Sequence, residues 1–244
     1  MKLILPALAI CLLFCFGKCI APSEGAAKQV TDSIYTYKNG SADGIGKYYF
    51  GREIAHIMGA GGAGWLERDE RQQEENTNAA LEKMSLAPDA GVADIGAGTG
   101  YYTFKIAPKV PQGKVYAVEV QDEMIDYLKK RKTKLNSKNV EVIKGSDTSV
   151  NLPPASVNLA IMVDVYHELE YPHEVLQSIR KALKPGGKIL LLEYRGEDPA
   201  VPIKPLHKTS VQQLNKELAA NGFKLAYRGE FLPLQHFLLY EMKK

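Results

Sequence analysis

From about residue 76 onward, apolar positions fall into two alternating patterns. Short runs rich in Val, Ile and Leu occur at 92–95, 114–120, 140–144, 158–164 and 188–194, as expected of strands buried on both faces. Between them the apolar spacing changes to three and four. Ile125 and Leu128 follow Asp122, and Val175, Leu176, Ile179 and Leu183 follow Pro172. This spacing predicts amphipathic helices starting near 99, 122 and 172. Lys129-Lys130-Arg131-Lys132 favours the dipole at one helix end, and Lys184-Pro185-Gly186-Gly187 reads as the stop of another. A last helix opens on Ser210-Val211-Gln212-Gln213, a capping box, and ends at Asn221-Gly222. Two closing strands, near 223–231 and 235–242, are joined by Leu232-Pro233-Leu234. That link is too short for a crossover, so the pair is expected to be antiparallel. The pattern predicts a doubly wound α/β fold, its sheet mostly parallel with an antiparallel last strand.

Upstream the periodicity fades. Residues 22–46 are polar, with no apolar period, and read as a linker or loosely packed arm. A short helix is expected over 49–58. Four glycines fall within 59–64, and Trp65 then precedes a dense charge run to Glu75. That run reads either as a solvated helix pinned by one aromatic or as a lid hinged at the glycines. Asn76 or Thr77 is expected to cap a helix running to about 86, with Leu81 and Met84 inward, before Pro88-Asp89-Ala90-Gly91 stops it.

The first residues differ again. Lys2 precedes an uncharged, mostly apolar run over 3–17, then Lys18 and small residues. The run is short for a membrane helix and reads as a secretory signal or an uncleaved anchor. Three segments result: 1–21, signal peptide or anchor; 22–75, linker and candidate lid; 76–244, the main domain. The expected location is outside the cytosol, with membrane contact only through the first segment. All three cysteines, Cys11, Cys15 and Cys19, lie in that segment. Its removal leaves no disulfide, thiolate nucleophile or cysteine metal site. His56, His173 and His236 show no metal spacing, and no metal site is expected. The formal net charge of +3 is small, and the basic residues are not interleaved with aromatics. Nothing points to nucleic acid.

Ligands of doubly wound sheets bind at the carboxyl ends of the strands. The first run ends in Val92-Ala93-Asp94-Ile95-Gly96-Ala97-Gly98-Thr99-Gly100, the second in Glu119, the third in Gly145-Ser146-Asp147 and the fourth in Asp164-Val165-Tyr166-His167-Glu168. Glycines suit a tight turn that a ligand approaches closely. The Glu119 carboxylate offers two acceptors to a ribose, and Asp147 suits a purine amine. These describe an adenosine site. Dinucleotide loops read Gly-x-Gly-x-x-Gly. Here the spacing is Gly-x-Gly-x-Gly, and Asp94 sits two residues before Gly96. A carboxylate there suits a cationic ligand better than a pyrophosphate.

With these motifs in order, 76–244 resembles the class I S-adenosylmethionine-dependent methyltransferases. The resemblance implies a Rossmann-like, seven-stranded sheet and S-adenosylmethionine as cofactor. It places Asp94, Gly96 and Gly98 at the methionine part, with Gly100 in the same loop, Glu119 at the ribose, Asp147 at the adenine, and Asp164 at the fourth strand end. Among subgroups the chain is most similar to small-molecule enzymes related to quinone and arsenite methyltransferases. It departs from the arsenite type by its cysteines. It departs from amino-methylating enzymes by reading Asp164-Val165-Tyr166-His167 where they carry Asn/Asp-Pro-Pro-aromatic. His167 and Tyr166 are then expected at the acceptor, His167 either as a base or as a hydrogen-bonding residue that shapes the pocket. Arg195 and His207-Lys208 read as binders of an acidic acceptor or as a solvated loop. A non-catalytic adenosyl-binding protein is the alternative function, and a nicotinamide oxidoreductase is third.

Overall fold

The computed structural model describes Met1 and residues 34–244. The signal or anchor reading of 1–21 lies outside the described residues, as does the first part of the expected linker. Ile34–Lys244 form one unit. Among the described residues no helix is long and apolar enough to cross a membrane.

Three short strands open this unit: β1 (Tyr35–Tyr37), β2 (Gly44–Tyr49) and β3 (Arg52–Ala55), an antiparallel sheet in the order β1-β2-β3. This corrects two expectations, a loose arm before 46 and a helix over 49–58. Phe50 and Gly51 both have positive φ, +49° and +94°, the backbone of a two-residue hairpin turn. Tyr49 then pairs with Arg52, and Tyr48 with Glu53. The core position at Lys47 was hidden by its charge. It is buried, with its ammonium 3.2 Å from the ring centre of Tyr171 and 4.2 Å from that of Tyr35.

Two short helices follow, α1 (Ala63–Leu66) and α2 (Arg71–Glu75), then α3 (Thr77–Lys83). The charge run is not a solvated helix throughout, since Arg71 and Glu75 are buried. Glu75 accepts from Arg71 Nε at 2.9 Å, Arg68 Nη2 at 2.8 Å and the Tyr194 hydroxyl at 2.9 Å. Asn76 adopts left-handed φ and its side chain does not cap α3. Gln72 Oε1 instead accepts from the Asn78 N–H.

The main sheet contains β4 (Gly91–Ile95), β5 (Lys114–Glu119), β6 (Val140–Lys144), β7 (Val157–Val163), β8 (Leu183–Tyr194), β9 (Phe223–Gly229) and β10 (Gln235–Met242). Their order is β6-β5-β4-β7-β8-β10-β9, with β10 antiparallel to both neighbours. The doubly wound, mostly parallel seven-stranded sheet with an antiparallel last strand is therefore the observed fold. Strand β8 begins five residues earlier than expected: Lys184 to Gly187 belong to it, across a register shift opposite β7.

Side chains alternate between two cores. Ala93, Ile95, Ala160, Met162, Ile189 and Leu191 meet Val175, Leu176 and Ile179 of α6 (Pro172–Ala182), and Leu214 and Leu218 of α7 (Val211–Ala220). Val92, Ile161, Leu190 and Leu192 meet Ala80 and Leu81 of α3, Phe104 and Ile106 of α4 (Tyr101–Ile106), and Leu128 of α5 (Asp122–Lys134). Each fully buried Leu or Ile contributes roughly 1.5–3 kcal/mol. Two-sided burial is why these strands read as continuous apolar runs. Ser210 caps α7 by accepting from the Gln213 N–H at 3.1 Å.

Candidate active site

A cavity of about 640 Å³ opens at the carboxyl ends of β4, β5, β6 and β7. After β4, Gly96, Gly98 and Gly100 adopt φ of +68°, +55° and +86°. A Cβ at Gly96 would lie 2.7 Å from the Val165 side chain, and one at Gly98 would lie 2.9 Å from Leu66 Cδ1. The loop is therefore sealed against its neighbours. Gly96 and Gly98 line the cavity; Gly100 does not. A Cβ there would instead fall 2.5 Å from the Phe104 ring and 2.8 Å from Leu128 Cδ2, so its absence makes room for both side chains.

Glu119 lines the same cavity. Its Oε2 accepts from the Gly98 N–H at 2.9 Å, and its Oε1 accepts from Val120 and Gln121 at 2.7 Å and 2.9 Å. Three backbone donors aim this carboxylate and leave about one of its roughly four acceptor sites for a ligand. Asp147 lines the rim, exposed, beside Gly145 and Ser146. Asp94 is placed differently from expectation. It is buried beneath the loop, outside the cavity wall, with Oδ2 accepting from the Thr103 hydroxyl at 2.6 Å. Burial pushes its pKa up to about 6, against the lowering effect of the Thr103 hydrogen bonds.

Asp164 directly follows β7 with φ +54°, an uncommon conformation for a non-glycine residue. Its Oδ2 accepts from Gln235 Nε2 at 2.7 Å. Its Oδ1 is buried with no hydrogen-bond partner among the described residues, and the residue lines the cavity. Burial raises its pKa well above the ordinary carboxylate range, helped by the charges of Glu75 and Glu193. A strained residue with an orphaned acceptor at a cleft wall is a binding-site feature.

His167 lines the same cavity. Its Nδ1 lies 2.7 Å from Glu193 Oε2, and its Nε2 lies 3.1 Å from His207 Nδ1. Glu193 is buried, and its Oε1 accepts from the Val165 and Tyr166 N–H groups at 3.1 Å and 2.8 Å. Burial alone would lower the pKa of His167. The charge of Glu193 and hydrogen bonds to Glu168 and Glu193 outweigh it and carry the value up to about 10. Burial alone would likewise raise Glu168. His167 and His207 instead hold it at about 2. His167, Glu168 and His207 all line the cavity, and their ligand atoms lie within 4.8 Å of one another. Tyr166, expected beside the acceptor, is fully buried and outside the cavity wall, with the Arg52 guanidinium 5.4 Å from its ring centre. The step from strand to helical turn sends Tyr166 inward and its neighbour His167 toward the cleft.

Arg195 does not reach the cavity: its guanidinium donates to the carbonyls of Leu232 and Pro233. Lys208 donates to the carbonyls of Asp198 and Val201. Of that expected group only His207 lines the cavity. Sequence reasoning missed Glu193, although a glutamate after Leu190-Leu191-Leu192 is a signal, because a carboxylate in a buried strand needs a partner. The lid reading pointed to the Trp65 segment, and Trp65 and Leu66 do line the cavity; sequence reasoning missed Ile45, Ile57 and Met58, which line it with them as an N-terminal wall. Gln121 Nε2 ties this wall to the end of β5 by donating to the Met58 carbonyl at 3.0 Å.

A family model described as a methyltransferase domain matches residues 87–235. The chain belongs to the class I S-adenosylmethionine-dependent methyltransferase family. The solved structure of a SAM-dependent methyltransferase from Aquifex aeolicus is similar, with a TM-score of 0.71 and 26% identity over 77% of this chain and 100% of that one. A protein-L-isoaspartate O-methyltransferase from Pyrococcus horikoshii is 33% identical over 111 residues, 46% of this chain and 47% of the relative. The ubiquinone/menaquinone biosynthesis C-methyltransferase UbiE of Ectopseudomonas mendocina is 29% identical over 119 residues, 47% of this chain and 45% of the relative. The chain spans about half the length of the curated relatives it matches. S-adenosylmethionine is the cofactor of this methyltransferase domain. The residues present fit it: a cationic ligand suits the orphaned Oδ1 of Asp164, and Gly96, Gly98 and the Glu119 carboxylate line the same cavity.

Proposed function

We propose that this methyltransferase moves the methyl group of S-adenosylmethionine to a small-molecule acceptor. One observation carries the reading: a single cavity joins Gly96, Gly98, Glu119 and Asp147 to His167 and His207. When bound, the cofactor supplies a methyl group already activated on a sulfonium. Gly96 and Gly98 admit its methionine part, Asp164 Oδ1 accepts from its ammonium, Glu119 takes the ribose and Asp147 the adenine amine. Asp94 supports the loop from below. His167, held by Glu193, and His207 form the polar end that faces the acceptor. Positioning then supplies much of the rate. The relatives' names cover both quinone and protein acceptors. The covered cavity favours the small one, because its volume is that of a small-molecule site and Ile57, Met58, Trp65 and Leu66 wall it off. Export through residues 1–21 belongs to the same proposal, on the strength of the apolar run after Lys2.

Calorimetry on the full chain tests the cofactor. One equivalent of S-adenosylhomocysteine should bind, and Glu119→Ala and Asp164→Ala should each weaken it about 10- to 100-fold, or roughly 1.4–2.8 kcal/mol. No binding by the parent chain would sink the proposal. A screen with labelled cofactor then separates an enzyme from a non-catalytic adenosyl-binding protein, which would bind tightly and label nothing.

A further inference from the structure

We propose that His167 Nε2, His207 Nδ1 and the Glu168 carboxylate bind one divalent transition-metal ion, of the zinc class, at the acceptor end of the cavity. The donors come from two turns far apart in sequence, Tyr166–Glu168 after β7 and Pro205–His207 after β8. The histidine nitrogens are 3.1 Å apart, and Glu168 Oε1 lies 3.3 Å from His207 Nδ1 and 3.7 Å from His167 Nε2. In a tetrahedral site with metal–nitrogen bonds of about 2.0–2.1 Å, ligand atoms stand about 3.3 Å apart. The triangle has that size before any ion enters.

The surroundings complete the site. Metal-bound histidines donate their second ring N–H to a carboxylate, which sets the tautomer and turns the other nitrogen to the ion. Glu193 does this for His167 at 2.7 Å, and is itself held by two backbone N–H groups. Arg52 Nη1 donates to the His167 carbonyl at 3.1 Å and fixes the turn. The Arg52 charge is already matched by Glu217, two hydrogen bonds at 2.8 Å and 2.9 Å, so it does not compete for the carboxylates beside the histidine pair. Two imidazoles and one carboxylate favour zinc or iron over magnesium or calcium. Three protein ligands leave a fourth position open, the pattern of reactive rather than structural sites. All three donors line the cavity, so the open position faces it. An oxygen donor of the acceptor takes that position; this last step rests on the methyltransferase reading, whereas the metal site does not.

The test is calorimetric titration of the chelator-washed full chain with zinc chloride alone, and cobalt(II) absorption as a second readout. One equivalent should bind with a dissociation constant below micromolar, and cobalt should give the intense visible bands of a four-coordinate site. His207→Ala and Glu168→Gln should weaken zinc at least 100-fold, Glu193→Gln about 10- to 100-fold, and His56→Ala not at all. Circular dichroism establishes that each variant folds. If His207→Ala does not, the cobalt spectrum of the parent chain decides, and weak six-coordinate bands overturn the site. Absence of zinc binding at 100 micromolar, or full binding by folded His207→Ala, also overturns it. A parallel titration with S-adenosylhomocysteine keeps the two proposals apart. Cofactor bound without zinc refutes the metal site alone, and zinc bound without cofactor refutes the methyltransferase reading alone.

Discussion

Asp94 shows what a single carboxylate costs when a loop is built over it. In the unfolded chain it titrates near the ordinary 3.8, and in the fold burial carries it up to about 6. Between those values the native state holds a proton that the unfolded state has released, so stability falls as pH rises from about 4 to about 6. The ionised form at neutral pH is therefore a destabilising element, by up to about 3 kcal/mol for a shift of this size. Asp94→Asn keeps an acceptor for the Thr103 hydroxyl and removes the charge. It should raise stability at pH 7 by a few kcal/mol and flatten this part of the pH profile. Urea denaturation at pH 4.5, 5.5 and 7 measures it; parallel profiles for the two proteins would refute the assignment. A cation above the loop offsets the same cost, which is a physical reason to keep an acid there.

At the scale of elements, the link that matters most to the site is Arg52 on β3 with Glu217 on α7. Both side chains are largely out of water, and the pair is bidentate. It fastens the N-terminal sheet to the main domain and, through the His167 carbonyl, to the turn that carries the polar end of the cavity. Removing one partner leaves the other charge buried and unmatched, which costs about 3–5 kcal/mol, whereas replacing both with apolar residues is often near neutral. Arg52→Met should therefore destabilise strongly, and Arg52→Met with Glu217→Leu should recover most of the loss. Guanidinium unfolding of the single and double variants checks this; equal losses in both would show that the ion pair is not the coupling.

At the scale of the whole molecule, a cavity lined in part by the N-terminal segment is paired with the proposal that residues 1–21 act as an export signal. S-adenosylmethionine is made in the cytosol, so export places the domain away from the source of its cofactor. Fractionation of a C-terminally tagged chain is expected to recover it outside the cytosol, as a shortened species if the leader is cleaved. Recovery of full-length protein wholly from the cytosol would refute export and remove the conflict.

The sequence by itself determined the main sheet, its direction and its cofactor end. Runs buried on both faces, such as Leu190-Leu191-Leu192, and helices spaced by three and four carry their periodicity locally. The tips at Gly96, Glu119, Asp147 and Asp164 follow once strand and turn are known. Only the tertiary structure decided the rest. β1, β2 and β3 are short and carry no long apolar run, and their core is completed by residues from elsewhere in the chain: Tyr171 beneath Lys47, and Asn221, whose Nδ2 donates to the Tyr49 hydroxyl at 2.7 Å. Tyr166 and His167 are adjacent in sequence and both buried, yet only His167 lines the cavity. His207 meets His167 across 40 positions, and Glu193 reaches the same ring from the carboxyl end of β8. Such meetings depend on how separate turns are stacked at the end of a sheet, and no local period in the chain encodes that.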